Sequence, residues 1–347
     1  MDSAGDVDSA PAGMSDTDLV RAVLRAFGTA DDVTAVERVS RAWSNRVWRV
    51  RTAQRDYAVK EMLNPWRDPH WRDWLAESIS FERKAVAAGV RAPAVVVAPD
   101  GEVLVEVGGR WFRMHMWVTG AHPCPRGPVP VSVAVDAARA LATMHALAVE
   151  PTRRDVFPSP SRATCDQWPR LVSELSDAGS SYAQGARDIA QYVAVVGEWI
   201  GRRDADGAKS VMSHGDIDQK NLLLADDGPW LVDWDVAAPW VPAEDALRTA
   251  LALADWRDRP TVRAFLATYT SASGVDVELN STLISLDLLL SLDWLDRCLR
   301  IASGLQRAEP HRVAEAQQQA LSELRSMPVR ISIAADLSNW LSSGPTD

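Results

Sequence analysis

The segment between residues 213 and 235 contains the side chains best suited to chemistry. His214 and Asp216 come first, Asn221 follows the aspartate by five positions, and Asp233 follows the asparagine by twelve. A carboxylate can accept the proton of a reacting hydroxyl group, and amide and carboxylate oxygens are the ligands that Mg²⁺ prefers. A base and metal ligands at this spacing are typical of phosphoryl-transfer sites, where a short rigid loop must place both on one phosphate.

The residues around this segment predict how it is held. Apolar runs at residues 222–224 and 230–232 flank a turn at residues 226–228, which indicates a β-hairpin. The hairpin would carry Asp233 back beside Asn221. The competing interpretation is a solvated polar loop that happens to precede a buried hairpin.

These motifs resemble those of the aminoglycoside phosphotransferase and choline kinase family, a branch of the protein-kinase-like fold. The matching stretches are Ser213-His214-Gly215-Asp216, Asn221-Leu222-Leu223-Leu224 and Leu231-Val232-Asp233-Trp234-Asp235. The resemblance extends over about residues 33–300 and is most specific in the segment 213–235. It implies an α+β, bilobal fold with a small β-rich N-terminal lobe and a larger α-helical C-terminal lobe.

The same resemblance implies roles for individual residues. Asp216 would be the catalytic base, Asn221 and Asp233 would bind two Mg²⁺ ions, and ATP or GTP would be the phosphate donor. His214 would support the loop and take no part in the chemistry.

Lys60 is the candidate contact to the α- and β-phosphates. It ends the run Tyr57-Ala58-Val59-Lys60, whose strand alternation puts Ala58 and Lys60 on one face. The family pattern, an acidic residue before a glycine and a proline, favours Glu82 as the ion-pair partner of Lys60, with Glu77 as the alternative. The competing interpretation leaves Lys60 in solvent and both glutamates on a helix surface.

Two further segments are candidates for nucleotide binding. The loop 40–45 lies where the family covers the phosphates, and Ser44 is its candidate contact, although the loop lacks the usual glycine and could be an ordinary polar turn. The segment containing His115, Met116 and Trp117 lies where the hinge between lobes is expected, and its backbone groups would bind the base. Met116 and Trp117 could equally be interlobe core.

Four polar residues near these motifs have supporting interpretations. His145 is expected to be a buried structural histidine. Asp218 and Lys220 flank the catalytic position, and Lys220 either reaches the transferred phosphate or points to solvent, the second of which we favour. Asp235 is either a second supporting anion, which we favour, or a helix cap.

Acidic residues in the second half would suit an amine-bearing acceptor by charge complementarity. The candidates are Glu244, Asp245, Asp287, Asp293 and Asp296. For any one of them, a solvated helix face or a structural role is the stronger alternative. Trp66, Trp71 and Trp74 could stack on a sugar ring, or could pack a helix.

The composition excludes several classes of partner and site. The chain of 347 residues has a formal net charge of −10, which argues against a nucleic-acid partner. Its three cysteines include no CxxC pair, so we expect neither a zinc site nor a disulfide framework. The acidic N-terminus has no signal-peptide pattern, and residues 286–292 are too few to span a bilayer. We expect a cytoplasmic monomer or homodimer with no membrane partner.

The hydrophobic pattern predicts the elements and lobes. Strands are expected at residues 36–39, 47–52, 57–62, 94–98, 103–107 and 111–118. Helices are expected at residues 16–28, 71–88, 131–147, 243–253, 260–271, 281–302 and 312–325. We predict a disordered tail at 1–15, a nucleotide-binding lobe at 16–118 and a catalytic, substrate-binding lobe at 119–347.

The sequence therefore favours a kinase that transfers the γ-phosphate of ATP or GTP to a hydroxyl of an aminoglycoside-like antibiotic or an amino sugar. The first alternative is a metabolic kinase for choline, homoserine or a simple sugar. A non-catalytic nucleotide-binding pseudokinase is favoured only by the glycine-free loop. A metal-dependent hydrolase would need further histidine ligands that the motif lacks.

Overall fold

The computed structural model describes residues 15–29, 32–39, 45–63, 69–157, 161–203 and 209–343. The predicted tail lies outside the described residues except for Ser15, whose hydroxyl oxygen accepts a hydrogen bond from the Asp18 N–H at the start of the first helix. Ser44 and Trp66 also lie outside the described residues.

The chain separates into two compact units that are not contiguous in sequence. Met1–Pro123 and Leu222–Asp235 form the first, and Cys124–Asn221 and Val236–Asp347 form the second. The sequence prediction divides the chain once, after residue 118, whereas here the hairpin that carries Asp233 belongs to the first unit. Hydrogen bonding explains this assignment, since the Leu231 N–H donates to the Arg91 carbonyl at 2.9 Å.

The first unit is built on an antiparallel sheet. Its five strands, in spatial order, are β1 (Val33–Arg38), β2 (Arg46–Thr52), β3 (Asp56–Met62), β5 (Arg110–Met116) and β4 (Val105–Val107). Its helices are α1 (Asp16–Ala26) and α2 (Trp71–Ala87). A second, three-stranded sheet contains β6 (His122–Pro123), β8 (Leu222–Ala225) and β9 (Gly228–Leu231), which confirms the predicted hairpin.

The core of the first unit lies between α1 and one face of the five-stranded sheet. Leu24 of α1 packs in the same buried cluster as Tyr57 and Val59 of β3. Each such side chain stabilises the fold by about 1.5–3 kcal/mol when fully buried. Since burial alternates along β3, Ala58 and Lys60 lie on the opposite face, as the sequence predicts.

The second unit is mainly helical. Its helices are α3 (Val131–Ala146), α4 (Ala163–Asp177), α5 (Ala183–Asp188), α6 (Ala190–Gly201), α7 (Pro242–Leu253), α8 (Arg259–Ser273), α9 (Ser281–Ala302), α10 (Pro310–Ala335) and α11 (Leu337–Ser342). The helix α3 packs on α8, and α9 packs on α10. Among the described helices, none combines the length and the apolar character required to cross a bilayer.

A short strand pair in the second unit leads into the predicted catalytic segment. β7 (Val211–Ser213) pairs antiparallel with β10 (Ala238–Trp240). Gly215 then adopts a φ of +75°, a conformation that favours glycine. A β-carbon at this position would lie 3.0 Å from both the Trp240 indole nitrogen and the Val236 carbonyl oxygen. The glycine is therefore required for the turn that presents Asp216.

Two predicted elements differ from the structure. Residues 94–98 were expected to form a strand, but they contribute only an isolated bridge between Val95 and His115. The last predicted helix was expected to end at residue 325, but α10 continues through Pro328 to Ala335.

Candidate functional site

Lys60 lies between two aspartates of the first unit. Its Nζ atom forms ion pairs with Asp233 and with Asp235. Burial alone would lower the pKa of Lys60, but the two carboxylates outweigh it and raise that pKa above its ordinary value. The lysine is therefore held as a cation, next to an aspartate whose φ of +68° is unusual for a residue other than glycine.

Glu82 does not pair with Lys60, which corrects the sequence prediction. One carboxylate oxygen of Glu82 pairs with Arg113, and the other lies 3.2 Å from Nε2 of His115. The reason is strand register: Arg113 on β5 is the cross-strand partner of Lys60 on β3, and the longer guanidinium reaches the fully buried glutamate of α2. Burial alone would raise the pKa of Glu82, but Arg113 reverses the effect and lowers it.

Two backbone N–H groups of the predicted hinge already donate hydrogen bonds within the first unit. His115 and Met116 end β5, and the Met116 N–H donates to the Ala94 carbonyl at 2.8 Å. The Trp117 N–H donates to the Asp56 carbonyl at 2.9 Å. These two N–H groups therefore already have partners within the first unit, and binding of the base by backbone groups of His115, Met116 and Trp117 stays a prediction.

Asn45 is the described end of the loop predicted to cover the phosphates. Its Nδ2 group donates to Asp235 at 3.2 Å, and its Oδ1 atom accepts from the Leu63 N–H at 3.2 Å. Ser44, the predicted contact, lies outside the described residues and stays a prediction.

In the second unit, the predicted base is surrounded by donors from its own loop. The Asn221 Nδ2 group donates to the Asp216 carboxylate at 2.9 Å and to the Asp216 carbonyl at 2.8 Å. Nζ of Lys220 lies 3.0 Å from the same carboxylate and 2.8 Å from Asp218. Lys220 therefore bridges two aspartates, although its side chain remains 62% exposed. His214 is buried, and its Nδ1 atom accepts from the Asp216 N–H at 3.3 Å.

Cations keep Asp216 ionised. Burial alone would raise the pKa of Asp216, but Lys220 and Arg248 together lower it below its ordinary value. Nη2 of Arg248 lies 3.7 Å from the Asp216 carboxylate. For Asp218, by contrast, burial and the neighbouring Asp216 charge raise the pKa. The pKa values of the two aspartates in this loop are thus shifted in opposite directions.

A buried polar network extends from Arg248 away from Asp216. Asp245 lies 3.1 Å from Arg248 and 3.2 Å from Nε2 of His145, and it accepts a hydrogen bond from Ser213. Nδ1 of His145 lies 2.8 Å from the Tyr269 hydroxyl. Burial alone would raise the pKa of Asp245, but the contacts with His145 and Arg248 lower it to about 2. This arrangement agrees with the structural role predicted for His145.

Gln219 ties the same loop to neighbouring backbone. Its Nε2 group donates to the carbonyls of Gly127 at 3.0 Å and Ala252 at 2.7 Å. Ala252 lies in the last turn of α7, and its carbonyl also accepts from the Asp255 N–H at 2.9 Å. A single amide side chain therefore ties the loop to two neighbouring segments of backbone.

The acidic candidates for acceptor binding differ in availability. Glu244 is committed to Arg203 at 2.6 Å, and Asp296 to Arg300 at 3.0 Å. Burial raises the pKa of the Asp293 carboxylate, so this candidate ionises less readily than an ordinary aspartate. Asp287 pairs with Nε of Arg248 at 3.2 Å, and its side chain is 20% exposed. Asp287 and Asp245 both share the partner Arg248 with Asp216, and Asp287 is the more exposed of the two.

The sequence matches a known protein family over most of its length. The model of the phosphotransferase enzyme family (APH) matches residues 35–278, which is more than half of the 347-residue chain. The chain belongs to the phosphotransferase enzyme family. The resemblance found in the motifs is confirmed. A search of curated proteins finds no significantly similar sequence.

Solved structures share the fold of this phosphotransferase. Spectinomycin phosphotransferase, solved with ADP and spectinomycin, is 11% identical with a TM-score of 0.72, over 90% of this chain and 98% of that one. A choline/ethanolamine kinase family protein from Mesorhizobium loti is 17% identical with a TM-score of 0.56, over 89% and 91%. An amicoumacin kinase solved with AMP-PNP and Ca²⁺ is 11% identical with a TM-score of 0.56, over 84% and 88%. The likeness confirms the predicted α+β, protein-kinase-like fold.

The predicted metal ligands of the phosphotransferase suit Mg²⁺ by their chemistry. Asp233 offers a carboxylate that is 41% exposed. Asn221 uses its amide nitrogen as a donor to Asp216, so its oxygen is the atom able to bind a cation. Mg²⁺ is commonly bound by one or two carboxylates together with substrate phosphates. Within the described ranges, no group of three or more His, Cys, Asp or Glu side chains could hold a metal ion.

Three residues around the site were not identified from the sequence. Arg248 lies three positions after Asp245 on α7, and this spacing is a signal for an ion pair that could have been used. Arg113 and Gln219 gave no such signal, because their partners are distant in sequence.

Proposed function

We propose that this phosphotransferase is a kinase that moves the γ-phosphate of ATP or GTP onto a hydroxyl of an amine-bearing small molecule. The first candidates are an aminoglycoside-like antibiotic and an amino sugar. The observation that carries the proposal is the ionised Asp216, held by Asn221 and Lys220 within one loop. We also propose a cytoplasmic location, because the donor nucleotide is abundant in the cytoplasm.

Asp216 would act on the acceptor. Its side chain is 26% exposed, so a hydroxyl group can approach it. As the acceptor oxygen bonds to the γ-phosphorus, the bond between that phosphorus and the bridging oxygen of the nucleotide breaks. The hydroxyl proton passes to the Asp216 carboxylate, and the nucleoside diphosphate leaves.

Lys60, Asp233 and Asn221 would act on the donor. Lys60 would bind phosphate oxygens as a partly buried cation, as the strand lysine does in kinases. Magnesium ions held by Asp233 and Asn221 would supply neutralisation of the charge on the phosphates.

The acceptor class rests on charge. The net charge of −10 favours a cationic acceptor, and Asp287 lies at the same arginine as the base. An amino alcohol such as choline has the same two features, a cation and a hydroxyl. A metabolic kinase is therefore the second candidate, and solved relatives of this fold include an aminopropanol kinase, 15% identical with a TM-score of 0.57 over 91% of this chain and 98% of that one.

The test is a screen of nucleotide consumption by the purified protein. Mg²⁺ with ATP or GTP is combined in turn with aminoglycosides, amino sugars, amino alcohols and simple sugars. We expect one class to stimulate consumption. Tight Mg²⁺–nucleotide binding with no stimulation by any class would favour the pseudokinase.

The role of Asp216 is tested with the acceptor that the screen finds. Asp216→Asn should lower kcat by about 10²- to 10⁴-fold, which is the usual contribution of a general base. Asp155→Asn, which removes an exposed carboxylate of the same unit, should leave kcat unchanged. A folded Asp216→Asn protein that retains the wild-type rate would exclude the proposed base.

A further inference from the structure

The two anions that contact Lys60 differ in exposure. The Asp233 side chain is 41% exposed, whereas that of Asp235 is 9% exposed. The proposed function assigns Asp233 to a metal ion. Lys60 then needs a second anion that remains in place while Asp233 serves another partner.

Asp235 is held in the way such a role requires. One oxygen of its carboxylate pairs with Arg113, and the other accepts from Asn45 at 3.2 Å and pairs with Lys60. Its backbone carbonyl accepts a hydrogen bond from the Ser78 hydroxyl at 3.4 Å. Contacts from β5, from β3 and from Asn45 just before β2 therefore fix this side chain, and α2 contacts its backbone carbonyl.

Glu82 cannot take the same role in this arrangement. Both of its oxygens are used by Arg113 and His115. Arg113 lies opposite Lys60 in the strand register and joins Glu82 to Asp235. The guanidinium thus separates the glutamate of α2 from the lysine and holds the aspartate against it.

We propose that Asp235 is the residue that positions Lys60 for the nucleotide phosphates, in the place that sequence patterns give to Glu82. Arg113 supports this arrangement by fixing the Asp235 carboxylate. The inference deepens the proposed function and rests on it for the identity of the reaction. Because Asp235 would act by positioning Lys60, we expect the effects of mutating these two residues to be energetically coupled.

Double-mutant cycles measure that coupling. Asp235→Asn and Glu82→Gln are each combined with Lys60→Met, and kcat, the KM for nucleotide and the Kd for ADP in EDTA are measured. We expect Asp235→Asn to lower kcat by about 10- to 100-fold, because a displaced cation no longer matches the transition state. In the Lys60→Met background the same change should cost little. Glu82→Gln should give equal fold-changes in both backgrounds.

Controls separate positioning from loss of structure. Glu37 on β1 of the same sheet pairs with Arg51 at 3.0 Å, so Glu37→Gln should leave all three constants unchanged. Asp235→Glu retains the charge and should recover part of kcat. If Asp235→Asn unfolds, Asp235→Glu replaces it in the cycle, because moving the carboxylate should also couple to Lys60.

The outcomes distinguish this inference from the proposed function. Equal effects of Asp235→Asn with and without Lys60, together with coupling between Glu82 and Lys60, would overturn the inference. If no acceptor supports turnover, the proposed function fails. The ADP cycle still decides the inference in that case, because ADP binding requires no acceptor.

Discussion

The charged cluster around Lys60 and the charged cluster around Asp216 have opposite signs at their centres. In the first, two cations lie between acids; Lys60 is partly buried, and Arg113 is almost fully inaccessible. In the second, a partly exposed acid lies between cations, one of which, Lys220, is largely in solvent. One cluster holds a positive charge in a fixed place, and the other keeps a negative charge ionised.

This difference predicts different responses to mutation. A buried ion pair is costly to break, because the remaining partner stays desolvated. A pair with an exposed member is weakened by water and salt, so its removal changes the pKa of the neighbour more than the stability of the fold. Mutations in the first cluster should therefore lower the stability of the fold, whereas removal of the exposed cation in the second should change the pH dependence of activity.

The largest expected effect is at Arg113. Arg113→Met would remove the arginine that Glu82 and Asp235 share. Glu82 would keep its contact with His115 and Asp235 its contact with Lys60, but both acids are largely buried, so we expect the free energy of unfolding to fall by about 3–5 kcal/mol. Arg46→Met is the matched control, since Arg46 is partly exposed and lies 3.4 Å from Glu61, and should cost about 0–1 kcal/mol. Urea unfolding measures both, and equal losses would show that Arg113 contributes no more to stability than a partly exposed arginine of the same sheet.

The second effect tests the buried part of the Asp216 cluster. The pKa of Asp245 is lowered to about 2 from an ordinary value of 3.8, so its charge stabilises the fold above pH 4. That stability should be lost as pH falls from about 4 to about 2. Asp245→Asn should cost about 2 kcal/mol at pH 7, and the difference from wild type should vanish across this window.

Acid unfolding curves of the two proteins measure this difference. Asp166→Asn, which removes an exposed carboxylate paired with Arg162, is the control and should cost about 0–1 kcal/mol. A constant gap between wild type and Asp245→Asn from pH 7 to pH 2 would contradict the assignment.

The smallest effect is at Lys220. Because Lys220 lowers the pKa of Asp216 against the effect of burial, Lys220→Gln should raise that pKa. The acid limb of the kcat/KM profile should then move to higher pH, and less so in high salt. Lys209→Gln, which breaks an exposed pair with Glu150, should leave the limb in place. An unmoved limb in Lys220→Gln would show that the cation does not act on the base.

Much of the fold could be predicted because its signals are local. The helix α9 (Ser281–Ala302) has the predicted bounds, since its apolar period is long and Asn280 caps its start. The end of α10 could not be predicted, because Pro328 is normally a stop signal, whereas here the helix continues through it. Residues 94–98 have strand-forming side chains but only one bridge, and pairing depends on distant partners.

The site was predictable where its residues share one loop. The contact between Asp216 and Asn221 follows from a spacing of five residues. The partner of Lys60 was predicted wrongly, because it depends on which long side chain lies across the strand pair. Arg113 is 53 positions from Lys60, and its reach to Glu82 becomes visible only once the register of β3 and β5 is known.

The chain passes between the two units three times, after Pro123, Asn221 and Asp235. During synthesis, the first unit therefore cannot be completed when its own sheet has emerged. Its completion requires the hairpin of β8 and β9, which is synthesised about a hundred residues later. The segment after this hairpin contains Asp233 and Asp235, the ion-pair partners of Lys60. At about 5–20 residues per second, Lys60 and Arg113 remain without Asp235 for several seconds. A truncation after the sheet would leave these cations without that partner permanently.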